Sequence, residues 1–151
     1  MKKYLLLFLM GGLMTSCLTG KLMTDEIISQ NGTHTFENNY DQVWDAVKGA
    51  LVTQGYELAY ENKEKGIINT AQKMLGAVAQ GNPYGAQSTG IYRQYLVKIY
   101  KESANRSKVV VTPKIYQGNV DISDRKVWDI EGKNGEVELW NKLFKAVEEI
   151  L

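Results

Sequence analysis

The alternation of hydrophobic periods along this chain predicts an α+β domain of two layers. An antiparallel sheet is expected to be covered on one face by an N-terminal and a C-terminal helix, in the order β-α-β-β-β-β-α. Two segments, around Trp44 and around Trp140, repeat apolar residues at spacings of three and four, as a helix with one buried face does. Between them lie runs rich in Val, Ile and Tyr, separated by short polar turns. Two layers let the sheet and both helical stripes share one core.

Thr33 to Phe36 reads as the first short strand. Asn38 and Asn39 then offer a helix N-cap, with Gln42 three residues after Asn39 as in a capping box. Tyr40, Val43, Trp44, Val47 and Leu51 follow on one helical face, and Gly55 supplies a C-terminal stop that tolerates positive φ. Tyr56, Leu58 and Tyr60 alternate with Glu57, Ala59 and Glu61, and after a polar turn Ile67 to Ala71 returns as the second arm of a hairpin. Ile91 to Tyr100 and Lys108 to Gln117 form another pair around the turn Glu102 to Ser107. Pro113 marks an edge, bulge or bend in the second of these, because it cannot donate to a ladder. Val127 to Ile130 adds a short strand to the sheet, and Val137, Trp140, Leu143, Phe144, Val147 and Leu151 make the final helical stripe.

The N-terminus has a different character. Lys2 and Lys3 precede the uncharged apolar run Tyr4 to Met14, and Thr15 and Ser16 are the small residues of a cleavage site. Met14-Thr15-Ser16-Cys17 resembles the lipobox of bacterial lipoproteins, with Met14 where Leu is usual. That resemblance implies a signal peptide over 1–16, acylation of Cys17 and anchoring to a membrane by lipid. Two or three acyl chains hold a protein on a bilayer far more firmly than one, since each buried methylene adds about 0.8 kcal/mol. Leu18 stands where enterobacterial lipoproteins retained in the inner membrane often carry Asp, so the resemblance points to the outer membrane. Residues 17–31, with little periodicity, read as anchor and flexible tether, and 32–151 as a single globular domain.

Without residues 1–16 the chain carries 16 basic against 17 acidic side chains. Near neutrality argues against nucleic acid as a partner. Charge is uneven along the chain: Met23 to Glu64 holds eight acidic residues and two lysines, and Arg93 to Lys133 nine basic and five acidic. Cys17 is the sole cysteine, so its use as an anchor leaves the domain with no disulfide and no cysteine-bound metal. Folding must rest on the core, for which a chain of this length suffices.

No set of residues assembles a recognisable catalytic constellation, and no cofactor or metal is expected. His34 is the sole histidine, and Glu37, three residues on, has the wrong parity to share its strand face. Gly81 to Gly90 is glycine-rich but lacks the Gly-Lys-Ser/Thr ending of a phosphate-binding loop. It belongs to a longer insert, Gln72 to Gly90, with an apolar patch at Met74, Leu75, Ala77 and Val78, read as a loop with either a binding role or none. Tyr84 in that insert, Tyr92, Tyr100 and Tyr116 on strands, and Trp128 on a loop or edge are the candidate binding residues. They line a groove or else pack against the sheet.

Tyr40-Asp41-Gln42-Val43-Trp44, Leu51, Gly55-Tyr56, Lys65-Gly66-Ile67-Ile68 and the Trp140-Leu143-Phe144 helix resemble the repeated unit of BamC/NlpB-type outer-membrane lipoproteins. The resemblance spans roughly Phe36 to Leu151, one unit where BamC carries two. It implies a helix-grip fold and an accessory role in binding rather than catalysis. Three functions are therefore weighed: a non-enzymatic, lipid-anchored module of the cell envelope that binds an envelope protein or other component, a carrier of an apolar ligand or lipid beneath the helices, and an envelope hydrolase using scattered carboxylates. Oligomeric state is left open.

Overall fold

The computed structural model describes residues 20–82 and 85–151, so the segment expected to be a leader, Cys17 and Tyr84 lie outside the described residues. The chain runs through β1 (Lys21–Leu22), α1 (Asp25–Asn31), β2 (Thr33–Phe36), α2 (Tyr40–Thr53), β3 (Leu58–Asn62) and β4 (Ile67–Thr70). It continues through β5 (Lys73–Asn82), β6 (Gly85–Ser103), β7 (Arg106–Gln117), β8 (Val120–Asp121), β9 (Val127–Trp128) and α3 (Glu136–Ile150). The fold is α+β. One antiparallel sheet has the order β2-β7-β6-β4-β3, with β5 against β6 and β8 against β7, and β1 and β9 form a separate pair.

Local signals explain most of these elements. The Asn39 side chain accepts from the Gln42 N–H at 3.0 Å, an N-cap, and donates to the Gln42 amide oxygen at 2.8 Å, which braces the capping side chain. At the other end of α2, Gly55 takes φ +76°, and the Tyr56 N–H reaches back to the Leu51 carbonyl at 3.0 Å. β6 and β7 pair as the sequence predicts, with Ile91 opposite Gln117 and Tyr100 opposite Lys108. Pro113 falls on β7 between the stretch bordered by β2, which ends at Val110, and the stretch bordered by β8, which begins at Tyr116. It therefore sits on a local edge.

The core lies between one sheet face and the helices. Val43, Trp44, Val47 and Leu51 of α2 and Trp140, Leu143, Phe144 and Val147 of α3 meet Ile68, Tyr95, Val97, Ile99, Val109 and Val111. A smaller cluster of Ile115, Trp128 and Ile130 adjoins it at one end, with Met23, Ile27, Ile91 and Val137 packed alongside. His34 lies on this covered side, 5.2 Å from the Phe144 ring and 3.2 Å from a Glu148 oxygen. Its acidic neighbour comes from α3, beyond the reach of strand parity.

Four expectations need correction. Residues 21–31, expected to be tether, form β1 and α1. Thr24 caps α1, and Met23, Ile27 and Ile28 pack on the core. The insert 72–90 is not a loop: its described residues form β5 and the start of β6, paired from Lys73 opposite Arg93 to Asn82 opposite Gly85. Val127 and Trp128 pair with β1, not with the main sheet. Trp128, expected at a binding surface, is 2% exposed and anchors the smaller cluster. The count of strands thus exceeds the predicted pattern, while the two-layer arrangement with α2 and α3 on one face stands.

Candidate functional site

The two-residue period of the strands divides the sheet into a covered and an open face. On β6, Tyr95, Val97 and Ile99 are buried under the helices, so Tyr92, Gln94, Leu96, Lys98 and Tyr100 point the other way. On β7 the open-face residues are Lys108, Val110, Thr112, Lys114 and Tyr116, directly opposite those of β6. Ile67 and Asn69 of β4 continue these rows across from Lys98 and Leu96. Leu96, Val110 and Ile67 remain only half-buried, because among the described residues no second layer covers them.

Tyr100 is the most exposed of the β6 and β7 tyrosines on this face, which Tyr60 of β3 also reaches opposite Asn69. The Tyr100 side is 40% exposed, and the ammonium groups of Lys98 and Lys108 lie 5.2 and 5.1 Å from the Tyr100 ring centroid. Two cations over one ring form a cation–π arrangement that fixes the ring and makes the patch positive. Lys108 is shared with Glu102 at 3.6 Å, whereas Lys98 has no carboxylate within ion-pair distance among the described residues.

Tyr92 and Tyr116 stand opposite each other farther along the same face. Tyr116 donates to Gln94 Oε1 at 3.0 Å, and Gln94 Nε2 donates to the Thr70 carbonyl at 2.7 Å, so Tyr116 is tied into the sheet and both tyrosines are half-buried. The structure thus brings Tyr92, Tyr100 and Tyr116 onto one face and removes Trp128 from it. Strand parity over residues 92–100 carried the missing members, Leu96 and Lys98, which stand out only once the whole strand is assigned to a face.

At the far end of this face lies a shallow groove of about 540 Å³. It is lined by Tyr40 and Asp41 at the start of α2, the 63–66 turn, and Ile99 to Lys101. Gly66 is required there: φ is +66°, and a Cβ would fall 2.1 Å from the Ile99 carbonyl oxygen, whose residue also donates its N–H to Gly66. Asp41 pairs with Lys63 at 2.8 Å, and that ammonium holds the Asp41 carboxyl below its ordinary range. Tyr40 donates to the Lys63 carbonyl, and burial pushes its phenol up. A second groove of about 330 Å³ runs between α1 and the open face at Thr33, Lys108, Val110 and Thr112.

The buried carboxylate among the described residues belongs to Glu136, at the start of α3. Arg93 Nη2 lies 2.9 Å from its Oε2, and the Tyr95 hydroxyl donates to its Oε1 at 2.8 Å. Burial pushes Glu136 up, against the opposing pull of Arg93 and Tyr95, and burial together with the Glu136 charge pushes Tyr95 far above the ordinary phenol value. Tyr56 packs against Tyr95 with ring centroids 5.0 Å apart and planes tilted by 59°, and carries the Lys73 ammonium over its own ring at 4.6 Å. This chain of charges and rings clamps α3 to the sheet. Among the described residues no group of three or more His, Cys, Asp or Glu converges as a metal site would require.

No protein-family profile matches the chain. No curated protein is similar to it in sequence. Among solved structures it is similar to a DUF4468 family protein from Bacteroides ovatus, at 10% identity and a TM-score of 0.43, covering 78% of this chain and 83% of that one. It is also similar to a TBP-like protein from Parabacteroides distasonis, at 13% identity and a TM-score of 0.38, covering 77% of this chain and 90% of that one.

Proposed function

We propose that this protein is a non-enzymatic lipoprotein of the bacterial cell envelope, anchored to the outer membrane through acylated Cys17, whose domain binds an envelope protein on the open face of its sheet. The observation that carries this reading is the uncovered face itself. Half-buried Leu96, Val110 and Ile67 lie beside a tyrosine held between two lysines, an apolar centre with an aromatic and cationic rim. The lipobox-like segment supplies the address, and the similarity to BamC/NlpB-type units fits an accessory binding role. A non-enzymatic reading is favoured by Glu136, whose carboxylate is engaged by Arg93 and Tyr95 instead of facing a cleft.

The test has two arms. A fatty-acid analogue should label the wild-type chain and not Cys17→Ser, with the variant lost from the membrane fraction. A photo-crosslinking amino acid at Tyr100 should capture a discrete envelope protein, whereas the same group at Lys145 on α3 should not. Label on Cys17→Ser rejects the anchor, and equal capture from both positions rejects the open face.

A further inference from the structure

A strand at the edge of a sheet presents unpaired N–H and C=O groups, and proteins blunt such edges with charge, proline, bulges or very short strands. Most edges of the main sheet are treated in that way. β2 and β8 have four and two residues. β3 holds Glu61, follows Glu57 and carries an irregularity between Leu58 and Tyr60. Pro113 occupies the stretch of β7 that lies between β2 and β8.

β5 is the exception. One side of it pairs with β6, and the other side meets no strand among the described residues. Past an irregularity between Met74 and Gly76, the ladder runs without interruption from Gly76 opposite Ile91 to Asn82 opposite Gly85. Its outer edge is therefore a regular run over residues 76–82. From Met74 to Tyr92 the sequence has no Asp, Glu, Lys, Arg or His to guard that edge.

The same run lacks support from within the domain. Ile91 lies opposite Gln117, the last residue of β7, so from Thr89 back to Gly85 the strand neighbour of β6 is β5 alone among the described residues. Gly76 to Ala79 and Gly81 on β5 are exposed, as are Gly85, Gln87 and Ser88 on β6. Two strands with nothing packed on them are marginal in water, and a third strand is the least that makes such a sheet stand.

The chemistry of the edge selects the strand that completes it. Recognition falls to the main chain, because the side chains of residues 76–82 are small or neutral on both faces. A second copy of the same run meets this edge without opposing like charges. β3 paired with itself would instead bring Glu57 and Glu61 of one copy against those of the other. Centring a dyad on Ala79 pairs the whole run from Gly76 to Asn82 and leaves Lys73 and the irregularity at Leu75 outside it. The contact is isologous, and each copy gives the other the third strand it lacks.

We infer that two copies of this chain associate edge to edge through residues 76–82 of β5, antiparallel, with Ala79 beside its counterpart. The result is a four-stranded ribbon in which β6 and β5 of one copy continue into β5 and β6 of the other. The paired run is about 23 Å long, a small interface that makes the association weak and readily exchanged.

Ala79→Cys in the full-length chain sets two thiols side by side across the dyad, with Cβ atoms about 5 Å apart. A short bis-maleimide added to cells making this variant should give covalent dimer at least about fivefold above Glu61→Cys on β3 or Lys145→Cys on α3. The wild-type chain, whose sole thiol is Cys17, supplies the background. Equal yields at the three positions overturn the inference, and so does a crosslink from position 79 to a different protein. Sedimentation equilibrium of the full-length chain in detergent tests the contact without a crosslink. Ala79→Lys should weaken the dimer about fivefold, since two ammonium groups then meet at the dyad, and Ala79→Glu should do the same. Mixing the two variants should restore it as a heterodimer, an outcome that a variant with a damaged hairpin could not give. A wild-type chain that is monomeric at every concentration overturns the inference, as does a loss that mixing fails to restore.

Discussion

Arg93 on β6 and Glu136, the first residue of α3, meet at 2.9 Å inside the protein, with the Glu136 side chain fully buried. The acid stands at a helix N-terminus, where partial positive charge favours it, yet desolvation makes the pair costly to break from one side.

Glu136→Gln should therefore destabilise the domain by about 3–5 kcal/mol, because the buried Arg93 charge loses its partner. Arg93→Met combined with Glu136→Leu should cost far less than either single change implies, since both desolvated charges leave together. Urea unfolding of the three proteins measures this. A Glu136→Gln variant within about 1 kcal/mol of wild type would show that the pair is not what holds α3 to the sheet.

Gly66→Ala should be the most damaging change at a turn glycine. It combines a left-handed backbone, worth about 1–2 kcal/mol for a side chain, with a collision against the Ile99 carbonyl at 2.1 Å. Gly118, at φ +59°, has only a Thr89 methyl carbon near, at 3.5 Å, so Gly118→Ala should show the backbone cost alone. Equal melting temperatures for the two variants would contradict the close approach of the 63–66 turn to β6.

Trp128→Ala tests the reassignment of a residue first expected at a binding surface. Emptying a buried tryptophan should cost about 3–5 kcal/mol and release β1 from β9. Hydrogen exchange at Lys21 and Leu22 should accelerate along with the loss in unfolding free energy. A loss below about 1 kcal/mol would return Trp128 to the surface.

Asp121 gives the acid limb of the stability profile a definite sign. Burial alone would raise its carboxyl, but the Ser123 hydroxyl and N–H and the Lys114 ammonium at 3.2 Å outweigh burial and hold it below the ordinary 3.8. Its contribution is present above that ordinary value and disappears as pH falls through the lower folded one. With the side chain 40% exposed, screening limits it to about 0.5 kcal/mol. Asp121→Asn should lower stability at pH 7 by that amount and lie closer to wild type near pH 2, as read from urea midpoints. A constant offset at both pH values would remove the carboxylate from the account.

What was legible in the sequence followed from strong local periods. Asn39 with Gln42, the stripe from Val43 to Leu51, and the pairing of Ile91–Tyr100 with Lys108–Gln117 each carry enough β-branched, aromatic or capping residues to declare themselves. β5 was not legible, because Gly76, Ala77, Ala79, Gln80 and Gly81 have weak strand preference and β6 imposes the pairing. α1 was hidden by its seven-residue length, and its adjacent Ile27 and Ile28 make no stripe. Of the candidate site, the tyrosines of β6 and β7 were visible as residue types, but their separation from Trp128 depended on β1, which pulls β9 away from the main sheet. Nothing in the sequence sets Glu136 apart from the other acids near the start of α3. Its burial comes from Arg93 and Tyr95, over 40 positions away.

β6 has 19 residues, so at about 3.3 Å each its backbone extends about 60 Å when straight. A compact domain of this size has a radius of gyration near 14 Å, so the strand outreaches the body it runs through. It is a beam as much as a sheet member. A pull along its axis loads the ladder with β7 in shear, and many hydrogen bonds share the force. A pull across the β5–β6 hairpin peels β5 from β6 one pair at a time. The same polypeptide is thus stiff in one direction and compliant in another, and lateral load would open the part of β6 before Ile91, which β7 does not reach, before the core residues Tyr95, Val97 and Ile99.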